Sequence, residues 1–577
     1  MKLNFKKIFT ILCFAASLPT WTFAQGTAEN EKKVAPHNWY ELDKTNSGYN
    51  GISLDKAYDF LKGRKSKTVV VAVIDSGVDT TQEDLKPILW HNPGEIPGNG
   101  IDDDHNGYVD DVYGWNFIGG KDGKNVHQDS YEAARVYWKL HDKFGDTIPD
   151  TTAMNEAQRH QVREYLLAKS KVVTDVNPKE LDFMKRILPR LENGDSVIAK
   201  DLGKTEFSGD DLKSYNSNNI DAKTAANIYL NICKLNNDYS IKNTDILQDL
   251  RSQIRKADAS VTPPENYRDE IVKDNEDDIN DRYYGNNDVM AGTPSHGTHC
   301  SGIIAAVRNN GIGMNGIADN VRIMMVRAVP DGDEHDKDIA NAIRYAVDNG
   351  AQIISMSFGK DFSPEKSWVD DAVKYAQSKG VLLVHAAGND HEDVDTAANF
   401  PNPVYADGSG RAKDFITVGA SGDSTNGGFT ASFSNYGKKE VDIFAPGVNI
   451  YSTLPGGNNY GTYSGTSMAC PVVAGVAALL LEYFPDLSAE QLKYVIMKSA
   501  TPITEKVMLP GTQPNPAEAE DGDTTKAPVM VNLSDISVSG GEINAYSAVK
   551  LAANIKGDRY KHEEDLPKTK IKRKKLD

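Results

Sequence analysis

The sequence predicts an α/β protein with a doubly wound, mostly parallel sheet and helices on both faces. Short apolar runs alternate along the chain with segments whose apolar residues recur at helical spacing, which is the order that such a sheet requires. The predicted strands are Thr68–Ile74, Arg322–Ala328, Ala351–Ser355, Val381–His385, Ile416–Gly419 and Val441–Phe444. The predicted helices of this sheet domain are Gly297–Val307, Asp336–Asn349, Trp368–Ser378, Met468–Tyr483 and Ala489–Lys498.

The first predicted strand ends in an acidic residue. Val69–Ile74 is apolar and mostly β-branched, and Asp75 follows directly. Ligands and catalytic groups of open α/β sheets collect at the carboxyl ends of the strands. Asp75 is therefore a candidate site residue, although a strand-end aspartate with a purely structural partner is the alternative.

An acidic loop follows this strand. Asp102, Asp104, Asn106 and Gly107 have the D-x-D-x-N-G spacing of a calcium loop, in which oxygen-bearing side chains converge on the ion. The usual glutamate at the twelfth position is replaced by Tyr113. We expect Ca²⁺ here, closed by one of the last two aspartates, and a solvated acidic turn is the alternative; the candidate ligands are Asp102, Asp104, Asn106, Tyr108, Asp110 and Asp111.

A long insertion, residues 121–284, separates Asp75 from the next motif. Its apolar residues recur at helical spacing in several segments, and polar turns such as Asn193-Gly194 and Asn236–Asp238 are predicted between them. We expect a small helical subdomain. It could restrict access to a site, dock a partner or be decorative, and nothing in its residues favours one of these roles.

Two further segments place a histidine and a serine at the starts of helices. His296-Gly-Thr-His precedes a helix of small residues, and Ser467 lies in Gly-Thr-Ser-Met-Ala-Cys-Pro, before an apolar run. The free N–H groups and the positive dipole end of a helix starting there would point at the serine oxygen. Each residue alone could be a helix cap. Together with Asp75 they form an Asp, His, Ser series whose extensive flanking sequence argues against coincidence.

With these motifs the chain resembles the subtilisin family of serine proteases, in which the catalytic residues occur in this order. The resemblance covers residues 50–120 and 285–553. It rests on the stretches Asp75-Ser-Gly, His296-Gly-Thr-His, Ser355-Met-Ser-Phe-Gly359, His385-Ala-Ala-Gly-Asn389, Asp442-Ile-Phe-Ala-Pro-Gly447 and Tyr460–Pro471.

The resemblance implies a serine endopeptidase that hydrolyses peptide bonds through an acyl-enzyme. Ser467 would be the nucleophile, His296 the general base, and Asp75 the residue that orients the imidazole. Asn389 and the backbone N–H of Ser467 would stabilise the oxyanion. An inactive peptide-binding protein and an esterase are the alternatives; the intact motifs argue against the first and the serine context against the second.

Substrate and a second ion are also implied. The segment Ser357, Phe358 and Gly359 would pair with an extended peptide. Ala386, Ala387 and Gly388 would line a primary pocket with room for a large apolar or uncharged side chain. Asp84, with Asn310 opposite, matches a calcium ligand of the family. The expected partners are thus protein or peptide substrates, and the sequence does not indicate the oligomeric state.

Composition and the chain ends add expectations about location. The chain of 577 residues has a net charge of −18, which argues against nucleic acid as a main partner because phosphate binding needs clustered cations. Residues 1–24 are typical of a secretory signal, with lysines before the apolar run Ile8–Leu18, a run too short for a membrane span. We expect an exported protein, periplasmic, surface-bound or secreted, with no transmembrane segment after cleavage.

The remaining segments carry less information. Residues 25–49 form an N-terminal segment and 554–577 a basic tail, while Pro510–Lys526 is polar and predicted to be a loop. Outside the signal, Cys233, Cys300 and Cys470 are expected to be small buried residues, although spacing alone neither supports nor excludes a disulfide.

Overall fold

A computed structural model of the protein describes residues 35–145, 147, 150–173, 178–204, 206–235, 239, 241–292, 294–423, 428–512 and 527–559. Contacts divide the chain into two compact units, which are described separately. The sheet unit comprises residues 34–129, 266–513 and 528–577, and the helical unit includes residues 130–265. The predicted signal, the polar segment 513–526 and the tail from residue 560 lie outside the described residues.

The strands all belong to the sheet unit. In chain order they are β1 Val69–Asp75, β2 Gly114–Asn116, β3 Val321–Arg327, β4 Ile353–Met356, β5 Leu382–Ala386, β6 Phe415–Ser421, β7 Ile443–Pro446, β8 Ile450–Leu454, β9 Asn459–Tyr463, β10 Thr501–Pro502, β11 Val507–Met508, β12 Met530–Val531 and β13 Gly541–Glu542.

The helices belong to both units. In chain order they are α1 Lys44–Ser47, α2 Leu54–Leu61, α3 Glu132–Phe144, α4 Glu156–Val172, α5 Pro178–Leu202, α6 Gly209–Leu212, α7 Ile220–Leu235, α8 Asn243–Ala259, α9 Tyr267–Ile271, α10 Ser295–Ala305, α11 Asp336–Asp348, α12 Lys366–Ser378, α13 Thr466–Tyr483, α14 Ala489–Lys498 and α15 Ala545–Ala552. Of these, α3 to α8 form the helical unit.

The main sheet has nine strands in the order β10-β13-β7-β6-β5-β4-β1-β3-β2. All neighbours pair in parallel except β10, which runs antiparallel to β13. The predicted fold class, a doubly wound and mostly parallel sheet, is confirmed. Each of the six predicted strands lies within two residues of its observed counterpart at both ends.

Helices cover both faces of this sheet. Val71 and Val73 of β1 point into a core that also contains α2, α10, α13, α14 and α15. The alternate residues Ala72 and Ile74 point into a second core with α11 and α12. Because both faces are buried, β1 is a continuous apolar run rather than an alternating one. Among the described helices, α13 alone has the length and composition to cross a membrane, and 89% of it is buried inside the protein.

The helical unit corrects one prediction. Helix α5 continues through Asn193-Gly194, where a turn was expected, and ends at Leu202. A Cβ atom at Gly194 would lie 2.3 Å from the Asp221 carbonyl oxygen and 2.8 Å from Ala225 Cβ. The glycine therefore allows α5 and α7 to pack closely and does not break the helix. The other predicted turn, Asn236–Asp238, lies outside the described residues.

Candidate active site

The parallel sheet brings together the ends of three strands. In register, Ile74 of β1 pairs with Met356 of β4, which in turn pairs with His385 of β5. Asp75, Ser357 and the segment leading to Asn389 therefore emerge at one edge of the sheet. Two helices, α10 and α13, start at this edge and carry the predicted histidine and serine. Helix α10 starts at Ser295, so that His296 lies inside its first turn rather than before it.

Asp75 and His296 form a direct pair. The Nδ1 atom of His296 lies 2.8 Å and 3.0 Å from the two carboxylate oxygens of Asp75, and the Ser76 N–H donates to the nearer oxygen at 2.7 Å. A Cβ atom at Gly297 would lie 2.1 Å from the Gly77 carbonyl oxygen. This glycine is what permits α10 to approach the end of β1 closely enough for the pair to form.

The pair determines the proton affinity of the imidazole. Burial by itself would lower the pKa of His296, but the Asp75 carboxylate, with a smaller contribution from Cys300, raises the pKa well above its ordinary value. His296 keeps 38% of its side chain exposed, whereas Asp75 keeps 3%. The imidazole is thus accessible to a substrate on one side and held by a buried acceptor on the other.

Ser467 lies in the first turn of α13, half-buried. Its hydroxyl donates to the Ser357 carbonyl oxygen at 3.0 Å, and the Ser357 hydroxyl donates to the Ser467 carbonyl oxygen at 2.9 Å. Cys300, one turn after His296, donates to the same Ser467 oxygen at 3.4 Å and lies 3.9 Å from His296 Nδ1. One thiol therefore contacts both the predicted base and the predicted nucleophile.

Two N–H donors converge beside Ser467. The Oδ1 atom of Asn389 accepts hydrogen bonds from the backbone N–H and the hydroxyl of Thr466, at 2.9 and 3.0 Å, which fixes the amide with its NH₂ group free. No described residue accepts from this NH₂ group or from the Ser467 backbone N–H. A Cβ atom at Gly465 would lie 3.6 Å from Ser467 N and 3.8 Å from Asn389 Nδ2. The two free donors thus flank one space, as an oxyanion site requires.

The predicted substrate segments contribute mainly through their backbones. Ala386 and Ala387 are buried, 3% and 0% exposed, with side chains in two separate cores. These methyl groups pack inside the protein at the end of β5, and the expectation that Ala386, Ala387 and Gly388 line a primary pocket stays a prediction. Gly388 has a φ of +100°, and a Cβ atom there would lie 2.4 Å from Asn435 Nδ2. Only glycine fits where the chain turns toward Asn389.

His385, at the end of β5, contacts the first predicted substrate segment, residues 357–359. Burial lowers the pKa of His385 to about 4, so the ring is neutral near pH 7. Its Nε2 atom lies 2.7 Å from the Phe358 carbonyl oxygen, and a neutral ring must donate there. This hydrogen bond fixes the Phe358 carbonyl one residue after Ser357, which contacts Ser467. His299, by contrast, is fully buried against Tyr463, and burial lowers its pKa to about 3.

The three cysteines described by the structure are buried, and none forms a disulfide with another described residue. Burial raises the pKa of Cys470 to about 12 and also raises that of Cys300. The expectation that the three cysteines are small buried residues agrees with their burial. The disulfide between Cys300 and Cys470, which the sequence neither supported nor excluded, is absent from the described residues.

The acidic loop contains a cluster of carboxylates. Single oxygens of Glu95, Asp104 and Asp111 all lie within 4.8 Å of one another. The Asn106 side chain donates to Asp104 and Asp111 at 3.2 and 3.1 Å. The second oxygen of Glu95 is buried without a partner among the described residues, and burial raises the pKa of Asp111 to about 7. Three convergent carboxylates with one orphaned oxygen fit a hard divalent cation.

The other predicted ligands of this loop have different partners. Asp102 accepts from the Asn106 and Gly107 N–H groups. Asp110 accepts from the N–H groups of residues 98–100, and the Tyr108 hydroxyl donates to the Arg282 carbonyl oxygen at 3.4 Å. Asp111 rather than Asp110 therefore lies where a closing ligand is needed.

Asp84 and Asn310 are brought together as expected. Asp84 is fully buried, and its carboxylate accepts from the Asn310 side chain, from the Met314 N–H at 3.3 Å and from the Tyr460 hydroxyl at 3.0 Å. The Asn310 Oδ1 atom accepts from the Ile312 N–H at 3.1 Å. Protein donors satisfy this aspartate, as they also satisfy Asp104 and Asp111. The orphaned oxygen of Glu95 is what makes the acidic loop the better fit for a cation.

Sequence reasoning missed three residues of these sites: Thr466, His385 and Glu95. Thr466 and His385 belonged to quoted motifs, and only their contacts reveal that they orient Asn389 and Phe358. Glu95 lies outside the D-x-D-x-N-G spacing. The available signal for it was an acidic residue in a Pro- and Gly-rich turn before the loop.

Comparisons with known proteins agree with this geometry. The model of the subtilase family matches residues 66–527. The chain is 45% identical over 187 residues to a thermophilic serine proteinase of Bacillus sp. (strain AK1), covering 32% of this chain and 42% of that protein. It is 41% identical over 210 residues to thermitase of Thermoactinomyces vulgaris, covering 36% and 68%. Subtilisin E of Bacillus subtilis (strain 168) is 39% identical over 215 residues, covering 36% and 51%.

Among solved structures, a protease of Pseudoalteromonas arctica PAMC 21717 shares 29% identity, covers 44% of this chain and 70% of its own, and gives a TM-score of 0.34. The chain spans 42% of the first relative named above and 51% of subtilisin E. Because the family model covers residues 66–527 and the match to thermitase covers 68% of that protein, the chain belongs to the subtilase family.

Proposed function

We propose that this protein is a serine endopeptidase that cleaves peptide bonds through an acyl-enzyme on Ser467. The observation that carries the proposal is that Cys300 contacts both His296, which is paired with Asp75, and Ser467, which starts α13 beside two free N–H donors. A serine hydroxyl is a weak nucleophile without a base. His296, half exposed and held by Asp75, is the base within reach of substrate.

In the proposed reaction, Ser467 Oγ attacks the carbonyl carbon of the scissile bond while His296 Nε2 takes the hydroxyl proton. Asp75 remains ionised and stabilises the imidazolium. The oxyanion that forms accepts hydrogen bonds from Asn389 Nδ2 and Ser467 N. Collapse expels the amine, which takes the proton from His296, and a water molecule then repeats the sequence to release the acid and restore Ser467.

The Ser467 hydroxyl donates to Ser357 in the substrate-free protein. Hydrogen bonds in catalytic sites are often long or redirected before substrate binds. A rotation of one side-chain torsion would redirect the hydroxyl toward His296. The contacts of Cys300 with both residues support this proximity.

Covalent labelling tests the proposal directly. A fluorophosphonate probe should label the wild-type protein and Ser464→Ala, whose exposed serine lies three residues before the nucleophile, but not Ser467→Ala. Absence of labelling in the folded wild type would leave the peptide-binding alternative as the better account. Labelling that persists in Ser467→Ala would identify a different nucleophile.

We also propose that the acidic loop binds Ca²⁺ through Glu95, Asp104 and Asp111. A bound ion would neutralise carboxylates that otherwise repel one another in a partly buried turn. A cation held only by the native state stabilises it by mass action. Chelation should therefore lower the melting temperature of the wild type, and Glu95→Gln should reduce that shift, with the exposed Glu83→Gln as the matched control. An equal shift in all three proteins would place the ion elsewhere.

We further propose that the protein is exported and acts on extracytoplasmic proteins or peptides. Support comes from the lysines and apolar run of residues 1–24 and from the resemblance to subtilisins. N-terminal sequencing of protein recovered from each cell fraction and from the medium tests this. A start at Gln25 outside the cytoplasm is expected, whereas full-length protein in the cytoplasm would contradict it.

A further inference from the structure

A buried arginine ends the strand next to the one that carries Asp75. Arg327 is the last residue of β3, where it pairs in register with Asp75 of β1 on one side and with Asn116 of β2 on the other. The residue is only 2% exposed. Burial of a cation costs free energy unless its donors find acceptors, so the acceptors of this guanidinium indicate what it holds in place.

The Nε atom of Arg327 connects the two parts of the chain that carry the catalytic pair. It donates to the Ser76 carbonyl oxygen and to the Ala291 carbonyl oxygen, in both cases at 3.1 Å. Ser76 directly follows Asp75, and Ala291 belongs to the segment that leads to His296. One N–H group therefore bridges the loop after the aspartate and the segment before the histidine.

The loop after Asp75 is closely packed against its neighbours. A Cβ atom at Gly77 would lie 3.3 Å from Arg327 Cδ and 2.5 Å from the Val289 carbonyl oxygen. The Gly77 carbonyl oxygen lies 2.1 Å from where a Cβ atom of Gly297 would be. The arginine side chain, this loop and the first turn of α10 are therefore in close contact, and a shift of the loop would be felt at His296.

The other two nitrogens of the guanidinium bind the chain near β2. Nη1 donates to Asn116 Oδ1 at 3.1 Å, and Nη2 donates to the Val126 carbonyl oxygen at 2.6 Å. All four acceptors of Arg327 are neutral, and within the part of the chain that the structure describes none of them is a carboxylate. Burial lowers the pKa of Arg327 to about 10, so the group is charged near pH 7. Hydrogen bonds to the backbone and to one amide, rather than an ion pair, hold this cation.

We propose that Arg327 is a positioning residue whose guanidinium fixes the loop after Asp75 and the segment before His296 at the separation that the Asp–His pair requires. This inference rests on the proposed peptidase function. The planar fork of arginine directs donors from three nitrogens in fixed directions, which the single nitrogen of a lysine does not reproduce. None of the four acceptors belongs to the predicted substrate segments, so loss of the guanidinium should impair the chemistry and leave substrate binding unchanged.

Steady-state kinetics on a peptide anilide test the proposal. Arg327→Met removes every donor and keeps an unbranched side chain. Its kcat should fall on the order of 100-fold, the scale of a misplacement of about 1 Å in a catalytic site, while KM stays within about threefold of the wild-type value. Arg327→Lys should recover part of the loss in kcat, because it retains a cation that can donate.

The same substitution at the other end of β3 is the matched control. Arg322 is half-buried, and its side chain donates to the Val321 carbonyl oxygen at 2.8 Å. Arg322→Met should leave kcat as in wild type, because it lies at the opposite end of the strand from the pair. The melting temperature verifies that each variant is folded. Should Arg327→Met not fold, Arg327→Gln, which retains a donor in the buried space, replaces it.

A double-variant cycle with Asp75→Asn distinguishes positioning from general destabilisation. Asp75→Asn alone should reduce kcat by on the order of 10⁴-fold. If Arg327 acts through the Asp–His pair, adding Arg327→Met to Asp75→Asn should reduce kcat by less than about threefold more, since effects on one interaction are not additive. An arginine with a purely structural role would reduce kcat by the same factor in both backgrounds.

The outcomes separate this inference from the proposed function. A folded wild type that takes no fluorophosphonate label and cleaves no peptide refutes the peptidase function itself. With an active wild type, the role of Arg327 alone is refuted if the folded variant keeps the wild-type kcat or changes only KM. It is also refuted if Arg322→Met causes an equal loss, or if the losses multiply in the double variant.

Discussion

A methyl group at Gly465 should disable the oxyanion site without removing any of its donors. The Cβ atom of alanine at this position would lie 3.6 Å from Ser467 N and 3.8 Å from Asn389 Nδ2, the two unpaired N–H donors. Gly465 has a φ of 164°, which is extended backbone that alanine can adopt. The substitution therefore adds bulk at the donors with little expected strain.

The size of the effect follows from the hydrogen bonds at risk. An oxyanion must approach each donor to about 2.7–3.1 Å, and a methyl carbon in contact with both donors competes for that space. Loss of one donor costs about 100- to 1,000-fold in subtilisin, on the order of 3–4 kcal/mol. We expect acylation to fall at least about 100-fold if one bond is lost, and on the order of 10⁴-fold or more if both are lost.

Single-turnover acylation by a peptide ester measures this effect. Gly422→Ala is the matched control, because its new methyl would have no neighbour closer than 3.4 Å. The melting temperature verifies that each variant is folded. Gly465→Ala and Asn389→Ala should also be strongly non-additive, since both act on the same bond. The placement of the oxyanion would be refuted if folded Gly465→Ala acylates within about threefold of the wild-type rate. It would also be refuted if the rate losses of Gly465→Ala and Asn389→Ala multiply in the double variant.

Three further predictions concern proton affinities. The kcat/KM should rise with pH through one ionisation whose pKa lies above the ordinary imidazole value, because Asp75 raises the pKa of His296. Asp75→Asn should lower that pKa and reduce kcat by on the order of 10⁴-fold. A pH profile of Asp75→Asn that does not shift would contradict this. Burial raises the pKa of Glu542 to about 8 from 4.5. The protonated side chain therefore stabilises the fold fully below pH 4.5, and the free energy of unfolding should fall by about 1.4 kcal/mol per pH unit between pH 4.5 and 8. Urea unfolding of Glu542→Gln should not show this fall, and an equal fall in the variant would assign the pH dependence to other groups. Because burial raises their pKa values, Cys300 and Cys470 should resist iodoacetamide at pH 8 until the protein unfolds, and mass spectrometry showing rapid alkylation of the native protein would contradict their burial.

The sheet and its two helix layers could be predicted from the sequence because their signals are local. β1 is an uninterrupted apolar run, since both faces are covered, and α13 starts at a Gly-Thr-Ser turn. Positions at the end of such a strand or the start of such a helix are fixed by neighbours along the chain. For this reason Asp75, His296 and Ser467 could be identified as candidates before the fold was known.

Contacts across the fold decided the rest. Asn193-Gly194 is a dipeptide typical of turns, yet it lies inside α5. Glycine is needed at position 194 because α7 packs against it too closely for a side chain. Glu95 joins the acidic loop from outside its spacing. The side chains of Ala386 and Ala387 turn into the protein, and Asn399, from a segment with no motif, donates to their carbonyl oxygens.

The sequence by itself determined the candidates for the reacting groups, because Asp75, His296 and Ser467 lie in local motifs at a strand end and at helix starts, and the family resemblance added Asn389. The tertiary structure alone decided which N–H donors beside Ser467 remain free among the described residues and which carboxylates of the acidic loop converge. These properties depend on atoms that lie far apart in the chain and meet within a few ångströms. No spacing along the sequence encodes such distances, since loop packing sets them.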